Sequence, residues 1–204
     1  LGYAAAVALI TLLALLAEKR LSWILAVPLG LVMAYFTFAS ASRGALLGIV
    51  GAIAAYLVLS VRLGNVIRAL AVGLLLTFIG ARLVPNAVKE RLVLDDALRS
   101  YAWELARDGF ASAPIFGHGI GSFADLGFLE YPHNLILEIS YELGLIGLGA
   151  FGIVVFMAGK RVWSHRRSPD VRLLAAVTAF WLAGSMVALD LRNRLLWICL
   201  VLCL

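Results

Sequence analysis

Apolar residues run along this chain in long blocks separated by short polar breaks. A helix that crosses a bilayer needs about 20 mostly apolar residues. Residues 1–17 form such a block and stop at Glu18-Lys19-Arg20. Residues 21–40 follow, with Trp23 and Pro28 near their start. Residues 44–61 lie between Arg43 and Arg62, and residues 69–84 are interrupted late by Arg82. Residues 134–159 carry Glu138 and Glu142, residues 171–189 form the sixth block, and residues 195–204 reach the last residue. The pattern predicts an all-α, polytopic transmembrane bundle in a single membrane domain. The chain begins inside one predicted helix and ends inside another, with no cleavable signal peptide, so it is expected to be a fragment of a longer protein.

The stretch 85–133 is too long for a plain connector. Pro85-Asn86 suits the start of a short helix. Asp95-Asp96 then reads as an N-cap, more readily than as a cation site, for a helix over 97–111. Leu98, Tyr101, Ala102 and Leu105 make one apolar stripe on it. Arg99, Trp103, Ala106 and Phe110 make a second face. Gly117-His118-Gly119-Ile120-Gly121 reads as a flexible loop. It lacks the strand, helix and third-glycine spacing of a dinucleotide fingerprint.

Composition sharpens the membrane reading. The chain is 63% hydrophobic and 14% charged, with mean hydropathy +1.00 over 204 residues. Soluble domains run near 45–50% apolar and about 25% charged. An ordinary soluble enzyme and a disordered chain are both excluded. The net charge of +5 reports topology rather than nucleic-acid binding. Alternating spans put Lys19, Arg20, Arg62, Arg68, Lys160, Arg161, Arg166, Arg167 and Arg172 on one side. The short loops of the other side hold only Arg43, Arg192 and Arg194. The first set marks the cytoplasmic face, so 85–133 becomes a partly helical periplasmic loop. Cys199 and Cys203 lie at i, i+4 in an apolar run and read as small apolar residues, not a disulfide.

The scarce basic residues of the outer side are the candidates for chemistry. Arg43 is alone in its connection, and a charge on the wrong side needs a reason. Arg99 sits either on a solvated helix face against Trp103 or in a site. His133, between Pro132 and Asn134 where the loop re-enters the membrane, suits a general base or a helix-start hydrogen bond. Glu138 and Glu142, with Asn134 a turn earlier, line a polar cavity or bond neighbouring helices. Arg192 and Arg194 flank the membrane, and either can pair with Asp190. His118 reads as loop and His165 as a polar residue of an Arg-rich turn. No His/Cys cluster has metal-ligand spacing.

Three segments together resemble the O-antigen ligase / O-antigen polymerase family of bacterial membrane glycosyltransferases. They are Ser42-Arg43-Gly44-Ala45; Arg99-x-x-x-Trp103 followed by Ala113-Pro114-Ile115-Phe116-Gly117-His118-Gly119-Ile120-Gly121; and His133-Asn134 followed by Glu138 and Glu142-Leu143-Gly144-Leu145-Ile146-Gly147. The resemblance covers roughly residues 25–160. It implies a bundle of about a dozen full-length spans. It further implies a metal-independent, inverting transfer without cofactor at the outer face of the bacterial inner membrane. The implied donor is a glycan on undecaprenyl pyrophosphate, and the implied acceptor is lipid A core or another glycan. Arg43 and Arg99, with Arg192 or Arg194, would bind pyrophosphate, and His133 would act in catalysis. Glu138, Trp103 and Asn134 are secondary candidates. The alternatives are a surface-polysaccharide polymerase, a protein O-oligosaccharyltransferase and, from another class, a polysaccharide or lipid transporter.

Overall fold

The structure is a computed structural model. It describes residues 1–40, 42–60, 86–127, 129–188 and 191–204, with side chains left aside for 86–97. The predicted span 69–84, Arg82, Asp95-Asp96 as side chains, and Asp190 lie outside what it describes. Every described element is helical. They are α1 (Gly2–Ala17), α2 (Trp23–Ala39), α3 (Arg43–Leu59), α4 (Asn86–Ser112), α5 (Leu135–Ser164), α6 (Pro169–Ser185) and α7 (Arg194–Cys203), with a 3-10 turn at Ala124–Leu126. Among the described residues, the six apolar blocks other than 69–84 are helices within about five residues of the expected bounds. Of these, α5 alone is both long and apolar enough to cross a membrane by itself, and α1, α2, α3 and α7 are shorter apolar helices.

Small residues let α3 and α6 approach closely. A Cβ added at Gly48 would lie 2.5 Å from the Phe180 ring, and one at Gly51 would lie 2.6 Å from the Ala183 methyl. In an apolar solvent such backbone proximity, rather than a hydrophobic driving force, brings helices together. The main core continues through Leu9, Ile10 and Leu13 of α1, Leu196 and Leu200 of α7, and Leu135 and Ile139 of α5. The outward faces are apolar too. On α2, Trp23, Ile24, Val32 and Tyr35 are exposed, and on α5 so are Ile153, Phe156 and Met157. Such a belt costs free energy in water and none against lipid tails.

Polar contacts gather at the two ends of the bundle. At the Glu18 end, Tyr56 and Arg172 both donate to Glu18 Oε1, each at 2.6 Å. Arg172 also donates to the Arg166 and Arg167 carbonyls, and Arg20 pairs with Asp170 at 2.8 Å. Burial alone raises the Glu18 pKa. The Tyr56 and Arg172 hydrogen bonds, with the charges of Arg172 and Arg20, outweigh it and leave the pKa lowered. These contacts tie the ends of α1 and α3 to the start of α6.

Two expectations about the long loop are corrected. One continuous helix, α4, runs from Asn86 through Asp95-Asp96 to Ser112, so that pair is not an N-cap. Its buried line is Ala102 and Ala106, packed on Phe123 and Tyr141, while Leu98 and Tyr101 are half exposed. The glycine loop, expected to be flexible, is docked. His118 Nε2 lies 3.1 Å from Ser112 Oγ and 2.9 Å from the Gly109 carbonyl, and its ring stacks on Tyr141.

The docking partner is a break in α5. Gly144 has φ 61° and ψ −156°, outside the helical region. In an unbroken helix the amides of Leu145 and Ile146 would donate to the carbonyls of Tyr141 and Glu142. Here His118 N–H and Gly119 N–H donate to those two carbonyls at 2.9 and 2.8 Å. Leu145 and Ile146 donate instead to the carbonyls of Pro114 and Ile115. Two intrahelical bonds are thus exchanged for four between loop and helix. The break has a geometric use. Thirty residues of straight helix are about 45 Å long and the 17 of α6 about 25 Å. Yet the two helices are joined by a short turn at one end and meet through Asn134 and Met186 at the other.

Candidate functional site

The end opposite Glu18 collects the residues singled out from the sequence. Arg43 is the first residue of α3, part-buried, behind Ser42, whose hydroxyl caps the helix by accepting from Ala45 N–H. A cation there faces the positive end of the helix dipole and weakens it unless an anion is present. Arg99, on α4, donates from Nη1 to the Val187 carbonyl just past the end of α6, at 3.0 Å. Asn134 caps α5 by accepting from the amides of Ile136 and Leu137, and its Nδ2 donates to the Met186 carbonyl. Four helix N-termini, those of α1, α3, α5 and α7, point to this end. The carbonyls that close α6 are occupied by Arg99 and Asn134.

Tyr3 joins the parts. Its hydroxyl would collide with a Cβ at Gly44, so α1 and the start of α3 touch without clearance. Tyr3 lies beside Ser42 and within electrostatic range of Arg99 and Tyr131. The Tyr131 ring meets the His133 ring edge-on at 4.5 Å. His133 is part-buried and adopts φ 55°, a left-handed conformation rare for a residue with a side chain. Such strain persists where surrounding contacts hold it, and here Trp103 Nε1 donates to the Pro132 carbonyl at 2.9 Å. Arg43, Arg99 and His133 therefore come to one end of the bundle, with Tyr3 and Tyr131 between Arg99 and His133. Tyr3 and Tyr131 were missed by sequence reasoning, and Ser42 was read only as part of the Arg43 segment. Their signal was a hydroxyl at the outer edge of an apolar block.

The remaining candidates sit nearby in other settings. Glu138 is buried and accepts from Leu191 N–H at 2.9 Å, holding the segment before α7 over the first turn of α5. Glu142 is buried at the helix break. Arg192 and Arg194 are exposed on either side of Asn193, Arg194 being the first residue of α7. His165 belongs to the Glu18 end, and the free, buried Cys199 and Cys203 lie on α7, Cys203 beside Thr178 in the middle of α6. Among the described residues no group of three His, Cys, Asp or Glu side chains is placed to hold a metal ion.

Cations at helix N-termini and a strained histidine thus share this end of a bundle whose outer faces are apolar. The chain is similar to an O-antigen ligase. That protein, from Pseudomonas aeruginosa, is 28% identical over 153 residues, 72% of this chain and 37% of its own length. The chain thus spans little more than a third of this curated relative. No family model and no solved structure matches. The long apolar helix and this distant similarity mark the chain as part of a membrane protein.

Proposed function

We propose that the chain is the reaction-face part of a multi-pass inner-membrane glycosyltransferase of O-antigen-ligase type. It moves a glycan from undecaprenyl pyrophosphate to a hydroxyl of lipid A core. The gathering of Arg43, Arg99 and His133 at one end of the bundle carries this reading. That end faces the periplasm, because the basic residues Lys160, Arg161, Arg166 and Arg167 lie at the other.

The chemistry assigns each residue a role. The acceptor oxygen attacks the anomeric carbon of the donor sugar as the bond from that carbon to the pyrophosphate oxygen breaks. Attack from the face opposite the leaving group inverts the configuration. His133 takes the proton of the acceptor hydroxyl, a contribution of about 10²–10⁴-fold for a positioned base. The pyrophosphate departs with the bonding electrons, and its charge is met by Arg43, Arg99 and one of Arg192 and Arg194. Arginine suits this work because it stays charged and presents a planar fork to phosphate oxygens. The positive end of α3 adds to the same field. In this reading arginines rather than a metal ion supply the positive charge. Tyr3 and Tyr131 orient Arg99 and His133.

The test is transfer by the full-length protein with an undecaprenyl-pyrophosphate glycan and purified acceptor. Arg43→Ala and Arg99→Ala are expected to raise the donor KM and lower kcat at least tenfold each. Wild-type kinetics in both variants would end the pyrophosphate assignment. Product analysis decides the acceptor: a glycan on lipid A core supports ligation, whereas a longer undecaprenyl-linked glycan or a glycoprotein replaces it.

A further inference from the structure

The connection from α6 to α7 carries Arg192, and side chains of α4, α5 and α7 hold its backbone. Arg99 Nη1 donates to the Val187 carbonyl and Asn134 Nδ2 to the Met186 carbonyl, each at 3.0 Å. Leu191 is then gripped at both of its backbone polar groups. Its N–H donates to Glu138 Oε2 at 2.9 Å, and its carbonyl accepts from Trp197 Nε1 at 2.7 Å. Asn134 and Glu138 lie one turn apart on the same face at the start of α5. That face therefore holds the connection at two points, Met186 and Leu191.

Glu138 is the costly member of this set. It is 4% exposed. A carboxylate so deeply buried persists only where it accepts hydrogen bonds. A backbone amide bonds a carboxylate more strongly than it bonds a neutral oxygen. What Glu138 secures is the position of Leu191, and Leu191 decides where the next residue begins. The peptide unit joining it to Arg192 contains the carbonyl that Trp197 holds. Arg192 is exposed and lies in a turn, outside the helices. Its backbone takes its place from the bonds at Leu191. Arg194 differs, since it is the first residue of α7 and takes its place from that helix. A long arginine side chain loses rotamer freedom when it grips a ligand, and a fixed backbone lowers what remains to be ordered.

We infer that Glu138 is a positioning residue for Arg192, and that Arg192 rather than Arg194 is the third arginine on the donor pyrophosphate. The inference rests on the glycan-transfer reading above. Glu138 acts through the backbone of Leu191 and does not touch the substrate. The start of α5, which follows directly on His133, thus also sets Arg192.

The test is a double-mutant cycle on donor KM, measured for transfer by the full-length protein with an undecaprenyl-pyrophosphate glycan. Glu138→Met keeps the length of the side chain, removes the acceptor, and is expected to raise donor KM about tenfold. Glu138→Gln keeps an oxygen for the Leu191 amide and is expected to bring KM back to within about threefold of wild type. Arg192→Ala is expected to raise KM about tenfold or more. Adding Glu138→Met to Arg192→Ala should raise KM less than about twofold further, because no arginine is left there to position. In an Arg194→Ala background Glu138→Met should keep its full effect. Should Glu138→Met fail to fold, Trp197→Phe carries the same cycle. It removes the other bond at Leu191 and keeps a ring against Phe151. Full additivity with Arg192→Ala overturns the inference, because it means a loss of structure felt across the whole site. A loss in Glu138→Gln as great as in Glu138→Met overturns it too. So does a fall in donor KM in Glu138→Met, the sign expected of a carboxylate that merely repels the anionic donor. A raised KM in Arg194→Ala beside a wild-type KM in Arg192→Ala overturns the inference and leaves the transfer reading standing. Wild-type KM in Arg43→Ala and Arg99→Ala would end that reading itself.

Discussion

The exchange of hydrogen bonds at Gly144 makes a sharp prediction for Gly144→Ala. With φ 61° and ψ −156°, this residue occupies a region nearly restricted to glycine, and a side chain there costs about 1–3 kcal/mol. The added Cβ would also lie 2.4 Å from the Ile115 carbonyl oxygen and 2.8 Å from Gly117 N. Both contacts are with backbone, so relief requires the loop to move, at a further cost of about 1–3 kcal/mol for overpacking. The expected loss is therefore about 2–6 kcal/mol, combining the two. The cheapest escape is for α5 to become regular. Leu145 and Ile146 then take back the Tyr141 and Glu142 carbonyls, and the loop is expelled. Hydrogen–deuterium exchange of the full-length protein in detergent reads this directly. In Gly144→Ala the amides of His118 and Gly119 should lose protection, while those of Leu145 and Ile146 keep theirs. Gly149→Ala is the control. Gly149 faces open space within the same helix, and alanine there is expected to be neutral or to stabilise by up to about 1 kcal/mol. If Gly144→Ala kept wild-type stability and wild-type protection at His118 and Gly119, the docked-loop account would be wrong.

Other predictions follow from the two polar ends. Trp103→Phe deletes the hydrogen bond to the Pro132 carbonyl, at about 1 kcal/mol of stability. It should lower kcat for transfer with donor KM unchanged, because it relaxes the strained backbone at His133. A parallel rise in KM would place Trp103 in donor binding instead. Arg172→Ala removes one of the two donors that Glu18 has among the described residues, and should cost about 1.5–3 kcal/mol by thermal unfolding. Because the Glu18 pKa is lowered in the fold, its stabilisation is fully present above the ordinary value of 4.5. It is lost as pH falls through the lower folded value. The stability gap between wild type and Glu18→Gln should thus shrink in acid below that point. A gap that widens in acid would reverse the sign of the argument.

What the sequence told about this molecule follows from the kind of signal each feature leaves. Helix positions were readable because a lipid solvent demands unbroken apolar runs, and α1, α3 and α6 end near the first strong polar cluster. The continuity of α4 was hidden. Asp95-Asp96 and Pro85-Asn86 both look like helix starts, and only tertiary packing at Ala102 and Ala106 decides between one helix and two. The break in α5 was hidden more deeply. Gly144 within Glu142-Leu143-Gly144-Leu145 reads as an ordinary glycine of an apolar helix. Its cause lies some 30 residues earlier, in a loop whose backbone, not its side chains, fills the gap. The same holds for His118, which hydrogen bonds and stacking have made a packing residue. Arg43, Arg99 and His133 stood out because cations and imidazoles are costly and rare on that side of an apolar chain. Tyr3 and Tyr131, which lie between Arg99 and His133, did not, since tyrosine at a membrane edge is commonplace.

The measurement that tests the proposed reaction most directly is the rate of glycan transfer by full-length His133→Ala at saturating donor, across pH. The base role predicts a fall in kcat of about 10²–10⁴-fold. It also predicts loss of the wild-type dependence of kcat on pH. Donor KM and thermal stability should change little. Wild-type kcat with an unaltered pH profile would contradict the account.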